Sequence, residues 1–169
     1  MLETVLMYLN NWFLVNRHNG TYTVEGGRVT LPFLLNGQYF RIVGSVLNDG
    51  VYQYAGGTAL DETGTEIFLS DETFTGSVWA LAIPKSLIST VKEIAAWTEK
   101  NGEGGPYTSE SFGGYSYTRA TNAQGAAVGW RDVFAARLLP WKKAAGSWQY
   151  AQPNPHMTPP LPHEGNPWR

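Results

Sequence analysis

The sequence predicts an α+β fold: a small helical domain with three helices, an antiparallel β-rich insertion, and an extended proline-rich C-terminal arm. Three observations lead to this prediction. Apolar residues recur at helical spacing in three stretches, they alternate with polar residues between positions 20 and 82, and prolines crowd the end of the chain. We therefore expect one domain over residues 1–143, with its β-rich region at 20–82, and an arm over residues 144–169. A chain of 169 residues is long enough to bury about 70% of the surface that it exposes when unfolded.

The first predicted helix opens the chain. Glu3 lies in its first turn, where a carboxylate complements the helix dipole, and the helix is expected to end near Asn16. The stretch has no basic start and no apolar run of about 20 residues, so we expect neither a signal peptide nor a membrane span. The apolar face of this helix comprises Leu2, Val5, Leu6, Leu9 and Phe13.

The β-rich region is predicted from alternation and turn residues. Gly26-Gly27, Asn36-Gly37 and Asn48-Asp49-Gly50 each separate runs in which apolar and polar residues alternate. We expect roughly four or five short antiparallel strands, with the last at Ser77 to Ala82.

An acidic segment without basic residues lies within this region. The simplest interpretation of this segment is a solvated loop or an edge hairpin, whose charge opposes aggregation through the sheet edge. A divalent-cation site is the alternative, because carboxylates and threonine hydroxyls are hard ligands, although the spacing is not that of an EF-hand. The segment contains Asp61, Glu62, Glu66, Asp71 and Glu72.

Two further helices are predicted after the β-rich region. Pro84 suits the first position of a helix that carries apolar residues at helical spacing and runs to about Lys100. The third helix begins near Trp130, and Pro140 is expected to kink or end it. Its C-terminal part is basic, with Arg131, Arg137, Lys142 and Lys143.

The polar, glycine-broken loop 101–129 separates these two helices. It offers hydroxyls, aromatic rings and glycines rather than the histidine, cysteine or paired carboxylates of a catalytic loop. We interpret it as a contact surface, with Phe112, Tyr115 and Tyr117 contacting a neighbouring subunit.

The C-terminal arm is rich in proline, which fixes φ and removes the amide donor, so an extended, polyproline-like segment is expected. Large apolar side chains within the arm favour docking onto another subunit. Disorder, or packing against its own domain, is the alternative. The expected docking residues are Trp148, Tyr150, Met157, Leu161 and Trp168.

The composition excludes several classes of function. A net charge of −2 provides no basic field for tight nucleic-acid binding, and the lack of cysteine removes disulfides and thiolate metal sites. His18 is most simply a turn residue, and His156 and His163 lie in the arm, so we assign no catalytic residue, cofactor or metal ligand. A carbohydrate-binding or cell-wall module remains an alternative because the chain is rich in tryptophan and tyrosine. A hydrolase built on His18 or a carboxylate pair is a third.

The run Glu110-Ser111-Phe112-Gly113-Gly114-Tyr115-Ser116-Tyr117, between a helix and a final helix that ends in basic residues, resembles the head-tail connector (adaptor or head completion) proteins of tailed bacteriophages. Residues 37–46, 50–52 and 71–76 are also similar to uncharacterised proteins encoded among the head-tail genes of phages and prophages of Gram-positive bacteria. The similar regions cover most of residues 1–143. Adaptors of this kind are nearly all helical, so the β-rich region is either an insertion or a replacement for helices.

The resemblance implies a structural protein without enzymatic activity, made in the host cytoplasm and located in the virion neck. It implies a ring of about twelve copies between the portal protein and the stopper or tail proteins. DNA passes through such a ring without sequence-specific binding, and we expect the acidic patch to face the channel or the solvent. A stopper or tail-completion protein is the alternative within the same class.

Overall fold

The main element of the computed structural model is a seven-stranded antiparallel sheet that curls into a half-barrel. The structure describes residues 1–102, 109–112, 115–118, 121, 125 and 127–144. The sheet strands run over Leu14–Glu25 (β1), Arg28–Val29 (β2), Tyr39–Val43 (β3), Gly50–Ala55 (β4), Thr58–Leu60 (β5), Glu66–Ile67 (β6) and Glu72–Leu81 (β7). Their order is β2-β1-β7-β3-β4-β5-β6.

In the part of the chain that the structure describes, the helices are few and mostly short. They are Leu2–Leu9 (α1), Lys85–Asn101 (α2), Trp130–Val133 (α3) and Ala135–Leu138 (α4), followed by a 3-10 turn at Leu139–Trp141. Two further strands, Ser109–Phe112 (β8) and Tyr115–Thr118 (β9), form a separate hairpin. The predicted fold class, a three-helix domain with a β-rich insertion, is therefore wrong: the sheet is the framework and the helices cover part of it.

The antiparallel pair of β1 and β7 is the most extensively paired part of the sheet. It runs from the pair Leu14 and Leu81 to the pair Val24 and Glu72. β3 pairs with the other edge of β7, so a large part of β7 lies between two strands. The predicted last strand covered only the second half of β7, because the first half alternates threonine with other residues and carries little apolar signal.

Each face of the sheet supports its own core, because successive side chains of a strand point to opposite faces. Trp79 and Leu81 belong to the core on the helical side, whereas Val78 and Ala80 belong to the core inside the curl of the half-barrel. Helices α1, α2, α3 and α4 contribute Leu6, Leu87, Trp130 and Leu138 to the first core. The inner core is closed by Phe40, Ile42 and Phe74 from the strands and by Leu31, Leu34 and Leu69 from the loops.

The first helix stops earlier than predicted. Asn10 has a left-handed conformation (φ 54°), and Phe13 is also at positive φ (51°). The chain therefore turns sharply and enters β1 at Leu14 instead of continuing as a helix to Asn16. Asparagine tolerates this conformation better than most residues, so Asn10 ends the helix much as glycine would.

The second helix is confirmed, whereas the third is broken. Pro84 precedes α2 as its N-cap, and the helix runs to Asn101. The region from Trp130 forms two single-turn helices because Phe134 leaves helical geometry, with φ −99° and ψ 6°. Pro140 lies in the 3-10 turn that follows. The apolar spacing identified the buried face correctly, since Trp130, Phe134 and Leu138 are all buried, but it did not reveal the break.

A pair of glycines in the β1–β7 ribbon provides a test of the sheet. Gly20 and Gly76 face each other, but a methyl group on Gly76 would lie 2.3 Å from the carbonyl oxygen of Val43, while one on Gly20 would meet only the ring of Tyr22 at 3.7 Å. We expect Gly76→Ala to lower the free energy of unfolding by about 1–3 kcal/mol, because β3 must move away from β7. Gly20→Ala is the matched control and should be near neutral in chemical denaturation. Equal effects of the two substitutions would contradict the close approach of β3 to β7.

Candidate assembly surface

The hairpin that carries the Glu-Ser-…-Tyr-Ser-Tyr run is separate from the main sheet. β8 and β9 pair in register from Ser109 and Thr118 to Phe112 and Tyr115. Neither strand pairs with any other strand in the part of the chain that the structure describes. An isolated two-stranded hairpin is only marginally stable in water, so this one gains from contacts along its open edges or faces.

Apolar side chains are exposed on the helical side of the molecule. Met7 on α1, Val133 on α3 and Leu139 in the 3-10 turn are each about half or more exposed. The elements that carry these three residues also contribute buried or partly buried side chains to the core on the helical side. In that core Tyr8 contacts Trp130 edge to face, with the ring centroids 5.2 Å apart. We use the name assembly surface for two candidate contact regions, the strands β8 and β9 and the exposed side chains of Met7, Val133 and Leu139.

The last described residues are fixed to the end of α1. The amide of Lys143 donates a hydrogen bond of 2.8 Å to the carbonyl of Leu9. Asn10 Nδ2 donates to the carbonyl of Ala144 at 2.6 Å, and Asn11 Nδ2 donates to the carbonyl of Trp141 at 2.9 Å. The C-terminal arm therefore leaves the domain from a defined position. Its predicted docking residues, Trp148, Tyr150, Met157, Leu161 and Trp168, lie outside the described residues.

Two residues of the acidic patch hold local structure near β5. Glu62 binds the N-terminal amino group at 3.0 Å and the amide of Leu2 at 2.7 Å. Asp61 accepts hydrogen bonds from the amides of Thr63 and Thr65 at 2.8 and 2.9 Å, which closes the turn before β6. The Thr63 hydroxyl, followed by the Thr65 amide, lowers the pKa of Asp61 below its usual value.

The other acidic residues lie on or beside β6 and β7. Asp71 accepts from the amide of Gly27 at 3.1 Å, and the Ser45 hydroxyl and Asn48 Nδ2 donate to Glu72. These donors, with Ser45 first, lower the pKa of Glu72. Glu66 is exposed on β6. Among the described residues no group of three or more histidine or acidic side chains is arranged to hold a metal ion. The orientation of this patch in an assembly stays a prediction.

A cluster of arginine and tryptophan side chains was not anticipated from the sequence. The guanidinium of Arg41, on β3, lies 3.9 Å from the ring centroid of Trp12 and 5.3 Å from that of Trp79. The guanidinium of Arg17, on β1, lies 4.4 Å from the ring centroid of Trp79, which is on β7 between these two strands. Arg41 also approaches the carboxylates of Glu3 and Asp49 at 3.4 and 3.7 Å. Burial lowers the pKa of Arg17. The sequence indicates this cluster only weakly, because Arg17 and Arg41 occupy ordinary polar positions in strands where apolar and polar residues alternate.

The structure also locates residues on which the alternative functions depended. His18 stacks on Phe33 with ring centroids 3.8 Å apart, at the point where β1 pairs with Val78. Trp12, Trp79 and Trp130 are all buried, so their faces are not accessible to a sugar ring. These three tryptophans serve the core rather than a carbohydrate-binding platform.

Comparisons with family models, curated proteins and solved structures gave no match to this chain. In the described part of the chain, no helix combines the length and the apolar character needed to cross a bilayer.

The arginine–tryptophan cluster predicts that Arg41 cannot be replaced by another cation. In Arg41→Lys the charge is kept, but the planar group that contacts Trp12 is lost. We expect the free energy of unfolding to fall by about 1–2 kcal/mol, as measured by denaturant titration. Arg28→Lys, at an exposed position on β2, is the control and should change little. An Arg41→Lys variant as stable as the original chain would contradict a structural role for the stacking.

The hydrogen bonds to Glu72 predict a pH-dependent contribution to stability. Its pKa is lower in the folded chain than its ordinary value of 4.5, so the stabilisation is present above that value and is lost as the pH falls through the folded pKa. Glu72→Gln should therefore lower the unfolding midpoint at neutral pH, and the difference from the original chain should shrink as the pH is taken below 4.5. Glu66→Gln is the control. A Glu72→Gln effect that is constant over this range would contradict the assignment.

Proposed function

We propose that this chain is a structural subunit of the neck of a tailed bacteriophage: a head-tail connector, or adaptor, that forms a ring between the portal protein and tail components. The observation that carries the proposal is the hairpin β8–β9. It contains the Glu-Ser-…-Tyr-Ser-Tyr run, it lies between α2 and the α3–α4 segment with its basic residues, and it pairs with no described strand of the main sheet.

Part of the chain does not have the helical fold that the resemblance implies. A nearly all-helical subunit is not what the chain forms, because residues 14–81 build a sheet. The proposal therefore rests mainly on residues 84–143, where a long helix, the hairpin and a final helical segment follow one another. In the proposed subunit the half-barrel replaces helices, and the arm starts at Ala144 beside α1.

The physical reason for assembly is surface that one chain does not cover. No described strand pairs with the outer edges of the hairpin, and such edges accept a further strand or loop by main-chain hydrogen bonding. Exposed Met7, Val133 and Leu139 add apolar area on the helical side of the sheet. A subunit with different surfaces on its two flanks makes head-to-tail contacts, and these close into a ring when the rotation between copies permits.

The proposed contacts follow from this arrangement. Phe112, Tyr115 and Tyr117 contact the neighbouring copy, and Trp148, Tyr150, Met157, Leu161 and Trp168 of the arm dock onto the portal or the next copy. The acidic residues, Asp61, Glu62, Glu66, Asp71 and Glu72, face the channel, where negative charge repels the phosphates of the passing DNA. A stopper or tail-completion subunit uses the same contacts at another level of the neck.

The aromatic residues of the hairpin provide the test of this function. The full chain should assemble, alone or on its portal, into particles of about twelve times its 18.7 kDa mass with radial symmetry in electron micrographs. Tyr115→Ser with Tyr117→Ser should weaken assembly at least about tenfold, because aromatic side chains commonly dominate the binding energy of an interface.

Phe68→Ser is the matched control, since Phe68 is 77% exposed on the loop before β7 and is not part of the assembly surface. Rings that form equally well without the two tyrosines would contradict the hairpin contact. A chain that stays monomeric with every neck component, or that turns over a substrate, would contradict the proposed function itself.

A further inference from the structure

A cleft of about 600 Å³ opens between the start of α2, the turn before β3, and the end of β7. Its volume is in the range of sites that bind small molecules, which is enough for a few side chains of a peptide segment that crosses it. Leu35 at its rim is 75% exposed, and Ile88 on α2 is only half-buried. The walls thus present apolar surface that a bound chain would remove from water.

The polar side chains at the rim are mainly hydrogen-bond donors. Gln38 Oε1 already accepts from the amide of Leu35, and Asn36 Oδ1 accepts from the amide of Gly56, so their NH₂ groups remain to donate. Burial, followed by the charge of Glu62, raises the pKa of Tyr39, which therefore keeps its phenolic proton. The further donors that line the cleft belong to Lys85 and Ser89.

A proline-rich segment has the complementary chemistry. Proline has no amide hydrogen, so such a segment presents carbonyl acceptors with few competing donors, and it enters a groove at a low entropic cost. Residues 153–162 of this chain contain five prolines together with Met157 and Leu161. We propose that the cleft binds residues 153–162 of a second copy of this chain.

The reach of the arm favours this occupant. Ala144 is fixed beside α1, and the chain from there to Pro162 spans up to about 56 Å when extended at about 3.1 Å per residue. A globule of this size has a radius of gyration of only about 15 Å, so the arm can cross a neighbouring subunit. The choice of a second copy rests on the proposed ring, which places the neighbour's arm at high local concentration.

Thiol cross-linking tests the proposal directly, because the chain has no cysteine of its own. Full-length Ser89→Cys and full-length Thr158→Cys are mixed and treated with a short bis-maleimide. We expect at least about fivefold more cross-linked pair than from a mixture of Val46→Cys with Thr158→Cys. Val46 is 90% exposed and does not line the cleft, so it reports non-specific encounters.

A second pair of variants tests the cleft itself. Leu35→Glu, added to the Ser89→Cys chain, should remove the excess of cross-linked pair, because it puts a charge on the apolar rim. Phe68→Glu, at another exposed apolar position outside both the cleft and the assembly surface, should leave the excess unchanged. Both positions are at the surface, so neither substitution is expected to unfold the chain.

The mass of each sample in solution shows whether rings form, so failure of the cleft proposal can be distinguished from failure of the proposed ring. Rings without excess cross-linking at Ser89 would overturn the cleft and leave the ring in place. A chain with both Ser89→Cys and Thr158→Cys that cross-links within itself would show that the arm occupies its own cleft, and would overturn the second copy as its source. Monomers throughout, without cross-linking between chains, would overturn both proposals.

Discussion

The contact of Arg41 with Trp12 and Trp79 connects the two layers of this molecule. Trp12 comes from the segment after α1, Trp79 and Arg41 lie on paired strands, and all three belong to the side of the sheet that the helices cover. A guanidinium fits here because its flat face contacts the rings while its edge reaches Glu3 and Asp49. These contacts of Arg41 set the position of α1 on the sheet. Because Ala144 is hydrogen-bonded to Asn10 at the end of α1, they also set the position of Ala144, where the arm starts.

The sequence predicts turns and the starts of elements better than it predicts how the elements pair and which of them form the framework. Gly26-Gly27 correctly marked the turn between β1 and β2, Asn48-Asp49-Gly50 marked the approach of β3 to β4, and Pro84 marked the start of α2. The fold class was wrong because periodicity does not show which elements pair. Residues 14–16 fit the end of a helix by their spacing, yet they form the start of the longest strand once Asn10 and Phe13 adopt positive φ.

The contact role of the segment 109–118 stays a prediction, and only its backbone structure can be compared with what the sequence predicted. The run at 109–118 was expected to be a loop with a contact role, and the structure describes its two halves as paired strands. Its composition, with serine, tyrosine and glycine, suits either form, so spacing alone did not decide. The cleft beside α2 had no signal in the sequence, because its lining comes from a turn, three strands and a helix that are distant along the chain.

The hairpin and the arm make most physical sense as two weak contacts that act together. A two-stranded hairpin contributes few hydrogen bonds, and a proline segment in an open cleft buries little area, so neither alone is expected to hold a subunit in place. When both belong to one chain, the first contact raises the effective concentration of the second, and the combined affinity exceeds either one by orders of magnitude. In the proposed ring, free subunits would stay apart, while subunits brought to a common template would close into a ring. The chain has a net charge of only −2 and several exposed apolar side chains, so under this proposal the need for two contacts would also limit association before the template is present.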